Sequence, residues 1–581
     1  MIPFSNKHNK NTERTGMKFV VGIFFLIILV IFFRLFCLQI LKRQYYATMA
    51  LDTHEISQIV NPERGQIFFQ DSRTGETFPV GINRIYYKVY AVPKDIKKEE
   101  VNYMAEKIFE ILKITADEEK DLIRSKLNKK GDPYEVIKNK IDETEKFQLE
   151  NEKFKGIAFI EETYRYYPEK NWSAPLLGFS ILNREQSLDG KYGIEGYWND
   201  ALNGKSGFMF GEKAAAGGWI SLAGITSVDA TNGEDLILTI DRSLQYKACS
   251  RLKAGLEEFA AKSASLVMVD AKSGAILAMC SLPDYDPNDF SKVTDQNVFN
   301  NNTIFTPYEP GSVFKPIVMA TALEKGLVNP NSSFTDPCER QFGKYTIHNA
   351  MEKCYGQITM TQVLENSVNT GMIWVEEKMA SGLLRSYIEK FGFGKKTGIQ
   401  LDSEVAGNIS SLDKESNLSE AQASFGQGLT VTPLQLAMAY TAFANDGQVF
   451  EPYLIKEIKH ADGSVEKFEP KVNIQVISPR AAKLIRGMLT SVVENSYVYS
   501  VKMNDYYVAG KTGTAQIAAA GEYSEKTNQT FAGFAPATEP KFVMVVKYED
   551  PQREWAESTA AVVFKDITDF ALDYYGVEKD K

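Results

Sequence analysis

The longest apolar run of the chain lies near its start and predicts a helix that can cross a membrane. Residues 19–40 are apolar except for Arg34 and Gln39, and the 22 residues suffice for a bilayer core of about 30 Å. The preceding tail carries four basic residues, Lys7, Lys10, Arg14 and Lys18. The positive-inside rule then places tail 1–16 in the cytoplasm, residues 17–40 in the membrane and the rest across it. The alternative is a cleaved signal peptide.

Beyond the apolar run, the spacing of apolar residues predicts two regions of different structure. From Lys94 to about Phe154, lysine and glutamate dominate, and apolar residues such as Met104 and Ile108 recur at helical spacing. This pattern predicts solvated amphipathic helices. The stretch 156–228 is rich in glycine, tyrosine and asparagine, which predicts short strands joined by turns.

From about residue 232 the pattern predicts a domain with strands at both ends and helices between them. The predicted elements are a strand over 235–240, a hairpin over Ser265–Met279, strands over Tyr506–Ala509 and Lys541–Lys547, and a helix over Ala560–Tyr575. Asp241 is expected to cap the helix that follows the first strand. The order predicts a mixed α/β domain whose sheet is closed by strands from the two ends of the domain.

Composition narrows the function. The chain has 581 residues, enough for about three domains, and a net charge of −9, which does not suggest a nucleic-acid-binding protein. Five cysteines exclude a disulfide-rich scaffold. Four scattered histidines make a histidine metal site or a Ser-His-Asp triad a poor fit, and Gly-x-Ser-x-Gly is absent from the sequence.

One Ser-x-x-Lys motif stands in a context that suits a nucleophile. Ser312 follows the turn YEPG and precedes an apolar helical run, so we expect it at a helix N-terminus, where free N–H groups stabilise an oxyanion. Lys315, three residues on, shares its helix face and is expected to act as a base. The same motif at Ser250, Ser411 and Ser464 is expected to mark surface residues.

Two further motifs complete a possible site. Ser367 and Asn369 form Ser-x-Asn, with side chains expected to face a cleft, one to relay a proton and one to hold a substrate amide. Lys-Thr-Gly occurs twice, beginning at Lys396 and at Lys511. We favour the second copy, because it lies in strand sequence, where Gly513 lets a substrate backbone approach an edge strand. Either copy alone could be an ordinary turn.

In this order, the three motifs resemble the signature of penicillin-binding proteins and serine β-lactamases. Over about residues 30–575 the chain resembles class B penicillin-binding proteins, and among them the division-type FtsI branch. The transpeptidase-like segments are YEPGSVFKP (Tyr308–Pro316), FGFGKKTGIQL (Phe391–Leu401), SFGQGLTVTPLQLA (Ser424–Ala437), AGKTGTAQ (Ala509–Gln516) and FAGFAPATEP (Phe531–Pro540). The pedestal-like segments are ERGQI (Glu63–Ile67), YRYYP (Tyr164–Pro168) and GKYGIEGYWNDALNGKSG (Gly190–Gly207).

The resemblance implies a role for each motif residue. It makes Ser312 the nucleophile and Lys315 the general base, with Ser367 and Asn369 as the proton-relay pair. The strand that binds the substrate carboxylate would comprise Lys511, Thr512, Gly513 and Thr514. Backbone N–H groups of Ser312 and Thr514 would form the oxyanion hole, and Lys396 would lie in a structural segment.

The resemblance also implies the architecture. The fold would be mixed α/β, with a cytoplasmic tail over 1–16 and a transmembrane anchor helix over 17–40. An α+β pedestal domain, of the penicillin-binding protein dimerisation type, would follow over 41–230. A transpeptidase domain over 231–581 would carry an antiparallel sheet flanked by helices.

The implied activity is cross-linking of peptidoglycan stem peptides that end in D-Ala-D-Ala, through a serine acyl-enzyme and without metal or organic cofactor. β-Lactams would acylate the same serine. The protein would be a single-pass protein of the cytoplasmic membrane with its catalytic domain outside, working with an FtsW-like glycosyltransferase and other divisome proteins and not with nucleic acid. The alternatives are an elongation-type transpeptidase, a D,D-carboxypeptidase or β-lactamase, and a β-lactam sensor or inactive scaffold.

Two cysteines flank a segment that can fold back on itself. Cys338 and Cys354 enclose the β-leaning stretch QFGKYTIH, and a hairpin there would bring them together. Either a disulfide, which would persist outside the cytoplasm, or two free buried thiols agrees with the sequence.

Overall fold

The computed structural model describes residues 55–183, 187–212, 226–413, 416–519 and 522–581, so the predicted tail and anchor lie outside the described residues. Within those ranges, no helix combines the length and the apolar character needed to cross a membrane. The strands there are β1 (Glu55–Val60), β2 (Ile67–Gln70), β3 (Thr77–Ala91), β4 (Glu135–Ile141), β5 (Ile157–Tyr166), β6 (Phe179–Leu182), β7 (Leu188–Lys191), β8 (Gly207–Glu212), β9 (Thr226–Val228), β10 (Asp235–Asp241), β11 (Ser263–Asp270), β12 (Ile276–Leu282), β13 (Ser333–Thr335), β14 (Glu339–Phe342), β15 (Tyr345–His348), β16 (Gln357–Thr359), β17 (Gln448–Phe450), β18 (Ile455–Lys459), β19 (Val465–Lys467), β20 (Val472–Gln475), β21 (Ala509–Ala519), β22 (Glu522–Ala535) and β23 (Phe542–Glu549). The helices are α1 (Val101–Ile111), α2 (Asp117–Leu127), α3 (Glu143–Asn151), α4 (Ala174–Leu177), α5 (Gly193–Tyr197), α6 (Asn199–Asn203), α7 (Arg242–Glu258), α8 (Lys315–Glu324), α9 (Met360–Glu365), α10 (Asn369–Glu376), α11 (Leu383–Lys390), α12 (Asn417–Ser424), α13 (Pro433–Ala444), α14 (Pro479–Asn495) and α15 (Ala560–Tyr575).

Strands between residues 263 and 549 form a five-stranded antiparallel sheet, in the order β12-β11-β23-β22-β21. The predicted hairpin over Ser265–Met279 is confirmed as β11 and β12, and it shares this sheet with late strands of the domain, as predicted. The first predicted strand, over 235–240, is present as β10 but belongs to another sheet, where it pairs with β2 and β18. The strand predicted over Tyr506–Ala509 is wrong for most of its length, because β21 begins only at Ala509. The Tyr506 hydroxyl instead donates to the Val577 carbonyl at 2.8 Å, and the Tyr507 N–H donates to the Asp580 carboxylate at 2.8 Å.

Helices cover this sheet. Helix α7 packs on β11 and β12 and contacts α15, whereas α13 packs on β23 and α14 on β21. Asp241 caps α7 as predicted, since its carboxylate accepts from the Ser243 and Leu244 N–H groups at 2.9 and 3.0 Å. The predicted last helix is confirmed over Ala560–Tyr575.

The charged stretch from Lys94 to Phe154 contains the predicted amphipathic helices and one element that the pattern missed. Helices α1, α2 and α3 are present, but β4 lies between α2 and α3 and pairs with β3. In β4 the side chains of Ile137 and Ile141 are buried while the charged residues between them are not. Four positions separate these two isoleucines, which is compatible with either a strand or a helix, so spacing alone did not decide.

A second large sheet has the order β19-β18-β10-β2-β3-β4, with β5 paired to β3. Beside it, the three pedestal-like segments meet in a buried ion network. Glu195 is fully buried and accepts from Arg64 Nε at 2.8 Å and from Arg165 Nε at 2.6 Å. A third sheet, also antiparallel, has the order β1-β8-β9.

Candidate active site

Ser312 lies in a tight 3-10 turn, Gly311–Phe314, that runs directly into α8, so the predicted helix start is confirmed. Gly311 has φ +58°, a conformation that favours glycine, and a Cβ on it would lie 3.0 Å from Ala515 Cβ. The Gly311 N–H donates to the Gly426 carbonyl at 2.9 Å. The backbone of Gly311 therefore holds the turn in the conformation that presents Ser312.

Lys315 is completely buried one turn after the serine. Its Nζ donates to the Ser367 carbonyl at 2.5 Å, to Ser367 Oγ at 3.1 Å and to Asn369 Oδ1 at 2.8 Å. Burial, and secondly the charge of Lys511, hold the pKa of Lys315 well below its usual value. A lysine whose pKa is lowered gives up its proton more readily and can then accept one from a serine as a base.

Ser367 stands between the other two groups. It lies between α9 and α10 with φ +55°, an uncommon conformation for a residue with a side chain. Its Oγ donates to Ser312 Oγ at 2.9 Å, so the hydroxyl of Ser312 is linked to the amine of Lys315 through Ser367. Strained backbone is found where the surrounding structure requires a particular side-chain direction.

Asn369 is held from both sides. Its Oδ1 accepts from Lys315, and its Nδ2 donates to the His348 carbonyl at 2.9 Å. His348 belongs to the β14–β15 hairpin, which the Cys338–Cys354 disulfide closes, so the disulfide alternative is confirmed. A second disulfide, Cys249–Cys280, joins α7 to β12 and was not predicted.

The favoured Lys-Thr-Gly copy lies on β21, the edge strand of the five-stranded sheet. Lys511 is fully buried and its Nζ donates to the Thr512 carbonyl at 3.2 Å. Thr512 is nearly buried, and Thr514 Oγ1 accepts from the Ala556 N–H at 3.3 Å.

Gly513 lets another part of the backbone come close to β21, but this neighbour is not the substrate backbone expected from the sequence. A Cβ on Gly513 would lie 2.8 Å from the Pro310 carbonyl oxygen and 3.0 Å from Val313 Cγ1. The glycine therefore lets the edge strand contact the turn that carries Ser312. Sequence reasoning had assigned this approach to the substrate backbone.

The other candidates occupy structural or surface positions. In the second Lys-Thr-Gly copy, Lys396 is exposed, and the Glu404 carboxylate accepts from the Thr397 N–H at 2.6 Å and the Gly398 N–H at 3.1 Å. That copy is a loop closed by a carboxylate. Ser250 and Ser464 are exposed as predicted, whereas Ser411 is half-buried.

Three residues around the turn that carries Ser312 were not singled out from the sequence. Tyr440 on α13 donates its hydroxyl to the Val313 carbonyl at 2.6 Å. Glu309 accepts from the Gly428 N–H at 3.0 Å and from the Tyr523 hydroxyl at 3.1 Å, and burial raises its pKa. Tyr308 is buried under the turn. Glu309 and Tyr308 precede the Ser-x-x-Lys motif directly, which was the available signal.

Comparison with known proteins agrees with this geometry. The penicillin-binding protein transpeptidase domain matches residues 264–569, and the penicillin-binding protein dimerisation domain matches residues 59–238. Stage V sporulation protein D of Bacillus subtilis is 30% identical over 98% of this chain and 87% of its own length. Peptidoglycan D,D-transpeptidase FtsI of Escherichia coli is 33% identical over 74% of this chain and 70% of its own length.

A solved structure shares the fold. Penicillin-binding protein 3 of Mycobacterium tuberculosis, in complex with aztreonam, superposes with a TM-score of 0.68 at 24% identity, covering 90% of this chain and 98% of that one. The transpeptidase match alone spans more than half of the sequence, and the dimerisation match precedes it. The chain therefore belongs to the class B penicillin-binding proteins, which join a dimerisation domain to a transpeptidase domain.

Proposed function

We propose that the protein is a peptidoglycan D,D-transpeptidase that cross-links stem peptides through an acyl-enzyme on Ser312. The observation that carries the proposal is the hydrogen-bonded chain from Ser312 through Ser367 to the buried amine of Lys315. A serine needs such a proton acceptor to attack a carbonyl. Relatives named as D,D-transpeptidases support the same reaction.

In the first half-reaction, Ser312 Oγ bonds to the carbonyl carbon of the penultimate D-Ala. Its proton passes to Ser367, whose own proton passes to the neutral amine of Lys315. The bond to the terminal D-Ala then breaks, and the leaving nitrogen takes a proton back along the same path. N–H groups of Ser312 and Thr514 would hold the oxyanion, because a preorganised pair of donors stabilises charge that develops there.

Substrate orientation is assigned to the edge strand. Lys511 has no acidic side chain in ion-pair contact among the residues that the structure describes, so its charge is available to a substrate carboxylate. Thr512, Gly513 and Thr514 would bind the same end of the stem peptide. Asn369, fixed by Lys315 and the His348 carbonyl, would orient a substrate amide.

In the second half-reaction an amine from a neighbouring stem peptide attacks the acyl-enzyme and forms the cross-link. In the alternative, a D,D-carboxypeptidase, water resolves the same intermediate. Incubation with a stem peptide and an amine acceptor, followed by mass spectrometry, separates the two. We expect cross-linked product; trimmed peptide alone would favour the carboxypeptidase.

The nucleophile is tested by labelling with a fluorescent penicillin. Ser312→Ala should abolish covalent labelling while the thermal midpoint stays close to that of the wild type, because only one half-buried hydroxyl is lost. Ser250→Ala, an exposed serine in another Ser-x-x-Lys, is the matched control and should label normally. Labelling that survives in Ser312→Ala would overturn the assignment.

We assign the chain to the cytoplasmic membrane, with anchor 17–40, and place a pedestal over 41–230 and a transpeptidase domain over 231–581 outside the cytoplasm. Two disulfides support an oxidising compartment. The segments compared with the FtsI branch favour a septal role, beside an FtsW-like glycosyltransferase that polymerises the strands. A fluorescent fusion tests this: accumulation along the side wall instead of the septum would favour the elongation role.

The partner is tested through the anchor. Gly22 offers a small face for helix packing and Arg34 a polar group that prefers a protein neighbour to lipid. Replacing residues 17–40 with an unrelated transmembrane helix should weaken co-purification with the polymerase. Unchanged co-purification and polymerase activity would contradict docking through the anchor.

A further inference from the structure

A row of polar residues crosses the five-stranded sheet directly beside the turn Gly311–Phe314, which carries Ser312 and is called the nucleophile turn below. In register across the sheet stand Gly513, Thr530, Lys547, Ser265 and Ser281. The four with side chains are each at most 4% exposed. Residues directly opposite one another on adjacent strands project from the same face, so these side chains form one buried polar stripe.

The stripe contacts the segment that leads into the turn. At one end of this segment, the Asn302 N–H donates to Ser281 Oγ at 3.0 Å. At the other end, Thr530 Oγ1 donates to the Tyr308 hydroxyl at 3.2 Å, and Lys547 Nζ lies 4.9 Å from the centre of the Tyr308 ring. The stripe is thus the surface on which residues 302–308 are seated.

The position of Tyr308 on the sheet determines the position of Ser312. Its backbone N–H and carbonyl pair with Val431 at 2.9 Å in both directions, and four residues later the chain presents Ser312. Between the two, the Pro310 carbonyl lies against Gly513 of the edge strand. A shift of Tyr308 on the sheet would therefore move the turn relative to the strand that binds substrate.

Lys547 is an unusual member of this stripe. Among the described residues, three lysines are buried, and the other two are Lys315 and Lys511 of the active site. Burying an ammonium costs free energy that burying an apolar side chain does not, so the lysine at this position needs a functional explanation. Buried titratable groups concentrate at functional sites.

We propose that Lys547 is a positioning residue for the nucleophile: its ammonium binds the face of the Tyr308 ring and so fixes the turn that presents Ser312. A cation attracts an aromatic face whereas a neutral amine does not. The inference rests on the proposed acylation of Ser312.

The surroundings make this contact sensitive to pH. Burial lowers the pKa of Lys547 to about 8; the charge of Glu549 opposes this shift, and that of Lys262 adds to it. Glu549 is itself paired with Lys262 at 2.6 Å. Helix α13, which packs on β23, has no charged residue, and burial raises the pKa of Tyr308, which stays neutral in this range. The contact should weaken as pH rises through about 8.

The test compares acylation of the full chain by a fluorescent penicillin from pH 6 to 10, with thermal midpoints measured on the same samples. Lys547→Met keeps most of the side-chain length and removes the charge. We expect its acylation rate constant at pH 7 to fall about tenfold, since small displacements of a catalytic group cost this much or more. The wild-type rate should decline above pH 8, and this decline should be absent in Lys547→Met. Lys272→Met, the same substitution at an exposed lysine between β11 and β12, is the matched control and should leave rate and pH profile unchanged.

A second variant approaches the contact from the other side. Tyr308→Leu removes the ring but leaves Lys547, and should show the same loss of rate and of the alkaline decline, with a double variant no worse than either single one. Wild-type rate in either folded variant, or an alkaline decline that persists in Lys547→Met, would overturn the inference. Absence of labelling in the wild type would instead refute the proposed function.

Discussion

Replacing Lys315 with methionine separates the base from the rest of the site, because the change preserves most of the side-chain volume and removes the amine. The expected loss in acylation rate is about 10²- to 10⁴-fold, the usual contribution of a positioned base. This corresponds to about 3–5 kcal/mol of activation free energy at about 1.4 kcal/mol per tenfold.

Stability should respond much less. Because the pKa of Lys315 is lowered on folding, the native state binds fewer protons than the unfolded chain between that pKa and the ordinary value of about 10.4. Stability therefore rises with pH through this window, and below it the buried amine costs stability. Methionine removes that cost but takes the donor away from Ser367 O and Asn369 Oδ1, at a cost of at most about 1–3 kcal/mol each, because both residues are only half-buried. These effects oppose each other, so we expect the thermal midpoint to move by less than about 4 °C.

The assay is stopped-flow acylation by a fluorescent penicillin between pH 6 and 9, combined with thermal melting. The wild-type rate should rise with pH at the acid end, as the amine loses its proton. Lys396→Met is the matched control, since Lys396 is exposed and lies in the other Lys-Thr-Gly copy. A normal rate in Lys315→Met would refute the base assignment. A lost rate together with a midpoint lowered by more than about 10 °C would attribute the defect to unfolding instead.

Two other predictions test the remaining motifs. Lys511→Ala should weaken the binding of carboxylate-bearing substrates most, because it removes a buried positive charge, whereas Lys396→Ala should not weaken it. Steady-state KM values measure the difference. A larger effect at Lys396 would mean that the wrong Lys-Thr-Gly copy was chosen. Cys338 and Cys354 should resist alkylation in denatured protein until reductant is added, because they are bridged, and peptide mass spectrometry checks this; full alkylation without reductant would contradict the bridge.

The sequence correctly predicted those elements whose local pattern is compatible with only one type of structure. Asp241 before a helix, the turn that divides Ser265–Met279 and the apolar period of Ala560–Tyr575 each point to one structure, and each is found. Ser312 followed the same logic, since a proline-glycine turn before an apolar helical run fixes a helix start. The site residues were identified from the order of the three motifs along the chain. Composition and periodicity alone do not identify them.

Features that depend on distant partners were not predictable. Cys249 and Cys280 lie on a helix and a strand that only tertiary packing brings together. Lys547 ends the predicted strand Lys541–Lys547, and its burial beside Tyr308 follows only from the pairing of β23 with β22 and β11. Gly513 could be assigned to its true neighbour only once the edge strand was seen against Pro310.

The strand order of the catalytic sheet has a consequence for biogenesis. Strand β11 pairs with β23, and Ser263 and Glu549 at the ends of that pairing are 286 residues apart. Pairings of such long sequence separation form slowly, because a large loop must close first. In the proposed topology, the segment with Ser312 would emerge from the translocation channel well before β21, β22 and β23, which complete the sheet under it. A nascent chain would therefore be inactive when the segment with Ser312 first emerges, and β-lactam reactivity would appear only after β23 has inserted between β11 and β22.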